Sequence, residues 1–138
     1  MPPLTRWFIK TSFVYLALAL ILGLYLAVPS ILHVSAPLGF FPVYIHLLVF
    51  GWLTQLVFGV VFWMFPKYSV EKPRGNEALE WWTYIFLNAG LLLRALAEPL
   101  QTTRPNPLSG WMLVVSALLQ FLAGFTFVLN SWGRVKEK

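Results

Sequence analysis

The sequence predicts an all-α integral membrane protein, an antiparallel four-transmembrane-helix bundle with N and C termini cytoplasmic. Three observations carry this reading. Of 138 residues, 59% are hydrophobic and only 11% charged, against roughly 25% charged residues in soluble domains. Four apolar stretches, at about residues 12–32, 43–65, 81–97 and 111–130, each approach the ~20 residues that cross a ~30 Å hydrocarbon core at 1.5 Å per residue. Finally, Arg6, Lys10, Lys67, Lys72, Arg74, Arg134, Lys136 and Lys138 fall on one side of those stretches and only Arg94 and Arg104 on the other, the asymmetry of the positive-inside rule.

The first stretch, 12–32, follows Arg6, Trp7 and Lys10. It is longer than the 7–15 apolar residues of a signal peptide, so it is expected to be a retained helix, with Pro29 near its outer end able to kink it. An uncharged link from His33 to Pro42 holds Pro37, Gly39 and Pro42 and reads as a turn. The second helix, 43–65, closes on Pro66. The connection from Pro66 to Glu80 carries Lys67, Lys72, Arg74 and three glutamates, which require water. Trp81 and Trp82 open the third helix, 81–97. A polar turn with Pro105 and Pro107 leads to the fourth, 111–130. Tryptophan and tyrosine cluster at the expected interfaces, as in membrane aromatic belts. The chain reads as one domain, 1–138, integral to the cytoplasmic (inner) membrane, multi-pass and surrounded by lipid.

Absence of cysteine excludes disulfides, thiolate metal sites, iron–sulfur clusters and covalently attached c-type haem. The net charge of +5 is explained by topology, so no nucleic acid is expected as a partner.

This topology gathers His33, His46, Arg94, Glu98 and Arg104 at the outer end, from four parts of the sequence. Ionisable groups are costly in lipid and point to function, although the same groups also suit a wet interface. Glu98, four residues after Arg94, can pair with it. At mid-depth Gln55, Asn88 and Gln120 are expected to hydrogen-bond between helices, and Ser116, Gln120 and Gly124 form a small, polar stripe on the fourth helix. No carboxylate lies at mid-depth, which disfavours a proton-coupled exporter. With 100° per residue, Phe50, Leu53, Val57 and Met64 share the His46 face of the second helix and Gly51, Gln55 and Gly59 lie opposite. A flat apolar macrocycle could lie on the first face with its metal at His46.

His46, Phe50, Gly51, Gly59 and Pro66, spaced as H-x3-F-G-x7-G-x6-P, resemble a histidine-bearing helix of the NnrS family, polytopic haem proteins associated with nitric-oxide stress. More distantly, the pattern is similar to the second helix of subunit I in haem-copper oxidases and nitric-oxide reductases. Pro73-x-Gly75, Leu79 and Gly90-x3-Arg94 look like the next NnrS segment. Those families have many more helices, and NnrS-like sequences carry a second histidine and an acidic residue where Tyr44 and Leu47 stand here. The resemblance implies a single b-type haem with His46 as axial ligand to its iron. A haem-copper centre needs more histidines than this chain or its dimer contains, so no copper centre and no complete catalytic enzyme are expected. The second ligand would be His33, His46 of a second copy in a homodimer, or a residue of a larger respiratory complex; an open position would take a small gas ligand. Arg94 and Arg104 would then meet the haem propionates. The implied role is electron transfer, or nitric-oxide or oxygen sensing. The alternative is a haem-free accessory or assembly subunit of a larger membrane complex.

Overall fold

In a computed structural model, residues 1–32, 35, 37–66 and 76–135 are described. His33, the basic loop residues Lys67, Lys72 and Arg74, and Lys136 and Lys138 lie outside them. Four helices account for nearly all of the described chain: α1 (Pro3–Leu32), α2 (Phe40–Met64), α3 (Glu77–Thr103) and α4 (Pro107–Trp132). Each starts earlier than the apolar pattern alone predicts. Polar residues explain the difference at two of these starts. Asn76 Oδ1 accepts from Ala78 N at 3.0 Å to cap α3, and Asn106 Oδ1 accepts from Ser109 N at 2.9 Å to cap α4 with Pro107 behind it. Such caps satisfy orphan amide groups and contribute about 1 kcal/mol each. Glu77 and Glu80 therefore belong to the first turn of α3, where negative charge complements the helix dipole, and not to the preceding link.

Three of the helices, α1, α2 and α4, are both long and apolar enough to cross a membrane. The 27 residues of α3 are long enough, but its tryptophans, Asn88, Arg94 and Glu98 dilute its hydropathy. Paired residues show that the helices alternate in direction. Between α3 and α4, Asn76 meets Asn130, Thr83 meets Thr126 and Arg94 meets Ser116. Between α1 and α2, Tyr25 meets Phe40, Tyr15 lies against Gly51 and Phe8 against Gly59. These are two antiparallel hairpins. They join through α2 and α3, with α1 running parallel to α3, as the Thr11–Tyr84 and Tyr15–Asn88 hydrogen bonds of 2.8 and 2.9 Å require.

Two apolar clusters form the core. One joins Phe8, Phe62 and Leu87 near the chain termini; the other joins Tyr15, Val43, Leu47 and Leu91 towards the opposite end. Glycine makes the α1–α2 contact possible. A Cβ on Gly51 would come within 2.8 Å of Tyr15 Cβ, and one on Gly59 within 2.7 Å of Phe8 Cβ, closer than carbon atoms pack.

Inside α2, residues Leu47–Thr54 are π-helical, between α-helical Phe40–His46 and Gln55–Met64. The buried positions Val43, Leu47, Gly51, Gln55 and Gly59 recur every four residues. In a continuous α-helix such a row drifts by about 40° per step and would leave Gly59 some 160° from Val43. With i→i+5 bonding, about 4.4 residues per turn, each π step drifts about 30° the other way. Two α steps and two π steps nearly cancel, so the whole row stays against α1. The two faces expected of this helix are seen: Leu53 and Val57 are exposed, while Gly51, Gln55 and Gly59 are buried.

Candidate functional site

The π-helical stretch begins immediately after His46, at the end of the bundle remote from the termini. One α-helical turn earlier, Pro42 supplies a carbonyl that lies 2.8 Å from His46 Nδ1. On the other side of the ring, Nε2 is 2.9 Å from Arg94 Nη1. A guanidinium can only donate, so Nε2 accepts and the ring proton resides on Nδ1, donating to Pro42. His46 is thus held as one neutral tautomer. Phe50 stacks on the imidazole, with ring centroids 5.7 Å apart and planes at 13°.

Arg94 is shared among three elements. Nη1 also donates to Glu98 Oε1 at 3.3 Å, one turn along α3, and Nε donates to Ser116 Oγ on α4 at 3.3 Å. Ser116, fully buried, donates a hydrogen bond to the Gly90 carbonyl at 2.8 Å, so its oxygen is oriented to accept from Arg94. Glu98 Oε1 lies 3.7 Å from His46 Nδ1, and Oε2 is buried with no hydrogen-bond partner among the described residues. The arrangement is a short polar chain, Pro42–His46–Arg94–Ser116, with one carboxylate beside it. It joins α2, α3 and α4.

Of the outer-end residues expected to converge, His46, Arg94 and Glu98 do so. Arg104 stands apart, exposed at the C-cap of α3, where its carbonyl accepts from Asn106 Nδ2. Phe50 stacks on His46, one turn away on the same helix. The amide layer is corrected. Asn88 bonds Tyr15 and the Tyr84 carbonyl, but among the described residues fully buried Gln55 has no partner for either amide atom and Gln120 has none for Nε2. The stripe on α4 splits in the same way: Ser116 is packed on α3, whereas Gly124 has open space beside it.

Sequence reasoning assigned Arg134 only a topological role. It is instead 1% exposed. Its Nε donates to Pro66 O at 3.1 Å and its Nη2 to Phe62 O and Phe65 O, both at 3.0 Å. Glu80 Oε1 lies 3.7 Å from Nη1 and accepts from Asn130 Nδ2 at 3.4 Å. Arg134 is therefore the C-terminal cap of α2, supplied by the end of α4. An acid opening one helix and a base closing the next at the same depth was the available signal.

Haem can be tested against these residues. The Nδ1–H tautomer, anchored on a backbone carbonyl, is the one that leaves Nε2 for iron. Arg94 occupies that nitrogen, so ligation requires the guanidinium to move, and Glu98 Oε2 offers it a bidentate seat. On the ligand side the donor chemistry of His46 is compatible with haem iron once that nitrogen is released. Among the described residues no three histidines or carboxylates gather into a metal site. No protein-family model matches the chain, and neither curated proteins nor solved structures include a significant match to it.

Proposed function

We propose that all four helices cross the cytoplasmic membrane with both termini on the cytoplasmic side, and that the chain binds one b-type haem at its outer end through His46. The observation that carries this reading is the single tautomer of His46, locked by the Pro42 carbonyl with Nε2 directed at a cation between helices. When bound, haem supplies a one-electron carrier or, with an open axial position, a ligand site for nitric oxide or oxygen. The chain's own residues do the rest. His46 Nε2 would hold the iron, with Pro42 orienting the ring and Phe50 covering one ring face. Arg94, turned onto both oxygens of Glu98, remains beside the site as a charge partner for a propionate, and Arg104 offers a second at the outer surface. His33, or the partner subunit's His46 in a homodimer, completes a low-spin pair.

A second reading is favoured by the 2.9 Å Arg94–His46 bond itself. It makes the junction a structural tie in a haem-free accessory subunit of a larger membrane complex. Absorbance of protein purified from haem-replete cells separates the two. A Soret band lost in His46→Ala but retained in the exposed control Leu118→Ala is the haem outcome. Colourless wild-type protein refutes haem and leaves the accessory reading.

A further inference from the structure

We propose that the first turns of α1 seat an anionic phospholipid, its phosphate at Arg6 and Lys10 and its acyl chain along the outer face of the same helix. This rests on the membrane reading of the chain and is independent of the haem reading.

Pro3, Arg6, Trp7 and Lys10 line a groove of about 250 Å³. They recur at intervals of three and four and so share one helix face. Arg6 and Lys10 are exposed, and Arg6 is tethered beside the groove by Nε and Nη2, which donate to the Met1 carbonyl at 3.3 and 3.2 Å. Among the described residues neither cation is part of an ion pair. The first turn of α1 holds no acid, the first carboxylate in the sequence is Glu71, and the buried Glu80 is committed to Arg134 and Asn130. Two cations, the positive end of a helix dipole and an indole ring thus surround one concavity, a combination that selects an anion at a membrane interface.

The surface leading away from the groove selects a lipid over a free anion. Continuing on the same face, Phe13, Val14, Leu18 and Ile21 are all exposed. From Lys10 to Ile21 the helix rises about 16 Å, close to half of a ~30 Å hydrocarbon core. The cationic groove and the apolar row together match one phospholipid in one leaflet. Trp7, half exposed, stands within the groove between Arg6 and Lys10 and gives it an interfacial aromatic wall.

The test is native mass spectrometry of the full chain in non-ionic detergent, titrated with phosphatidylglycerol, with phosphatidylcholine of identical chains, and with inorganic phosphate. Wild-type protein should retain phosphatidylglycerol at least tenfold better than phosphatidylcholine, and millimolar phosphate should not compete. Arg6→Gln/Lys10→Gln should abolish the preference, and Lys10→Gln alone, at an exposed position, should reduce it several-fold with unchanged helical circular dichroism. Equal retention of the two lipids by wild type, or an unchanged preference in both variants, overturns the proposal. Competition by phosphate replaces it with a plain anion site.

Discussion

Replacing Arg134 by methionine removes the one side chain that ties three helix ends together, and the cost can be worked out from its contacts. The guanidinium satisfies the carbonyls of Phe62, Phe65 and Pro66, which close α2 and have no intrahelical partner. Bonds with a charged partner contribute about 1.5–3 kcal/mol each, but three made by one group are not additive. The substitution also strips the cation from Glu80, itself 3% exposed, and breaking a buried ion pair from one side costs about 3–5 kcal/mol. Methionine has a similar length and no donor, so packing loss is small. A destabilisation of about 4 kcal/mol is expected for Arg134→Met, mostly from the lost charge contact to Glu80 and the lost bonds to the three carbonyls. Equilibrium unfolding in mixed detergent micelles measures it. The decisive arm is the double variant Arg134→Met/Glu80→Gln. If the loss of the counter-charge dominates, the double variant should recover about half of the loss, so that it departs from additivity by at least about 2 kcal/mol, as only contacting residues do. A loss under about 1 kcal/mol for Arg134→Met, or strict additivity in the double, refutes the view that this arginine is a buried cap.

Two further outcomes follow from polar groups in the bundle. Gln55 presents an unpaired amide against α1, so Gln55→Met should raise stability by about 1 kcal/mol, read as a higher midpoint in the same unfolding assay; a lower midpoint means that the amide is doing bonding work. The proposed topology is open to labelling, because the chain has no cysteine: Leu108→Cys should react with an impermeant maleimide added outside intact cells, and Val135→Cys only after permeabilisation. The reverse pattern overturns the orientation.

What the sequence disclosed, and what it withheld, follows from the range of the interactions involved. Helix number and approximate extent came from apolar length, a property of each segment alone; all four helices start earlier than that length predicts, and at two of the starts the polar caps Asn76 and Asn106 account for the difference. The meeting of His46, Arg94 and Glu98 was legible because charge asymmetry assigns each a depth, and depth is nearly enough when only four helices can neighbour one another. Rotation about each helix axis was not legible. It depends on the π-helical stretch at Leu47–Thr54, which contains Gly51 but no Pro and shows in the sequence chiefly as a strict four-residue spacing of Val43, Leu47, Gly51, Gln55 and Gly59. That spacing is a compromise between two helix types and cannot be recognised until the neighbour α1 is known. A π-helical segment is locally unfavourable, and such segments gather at functional sites. Here it permits two demands to be met at once: the glycine face stays on α1 along its length, while the turn carrying His46 keeps its ring on the α3 side, within reach of Arg94. A regular α-helix would satisfy one and rotate the other away.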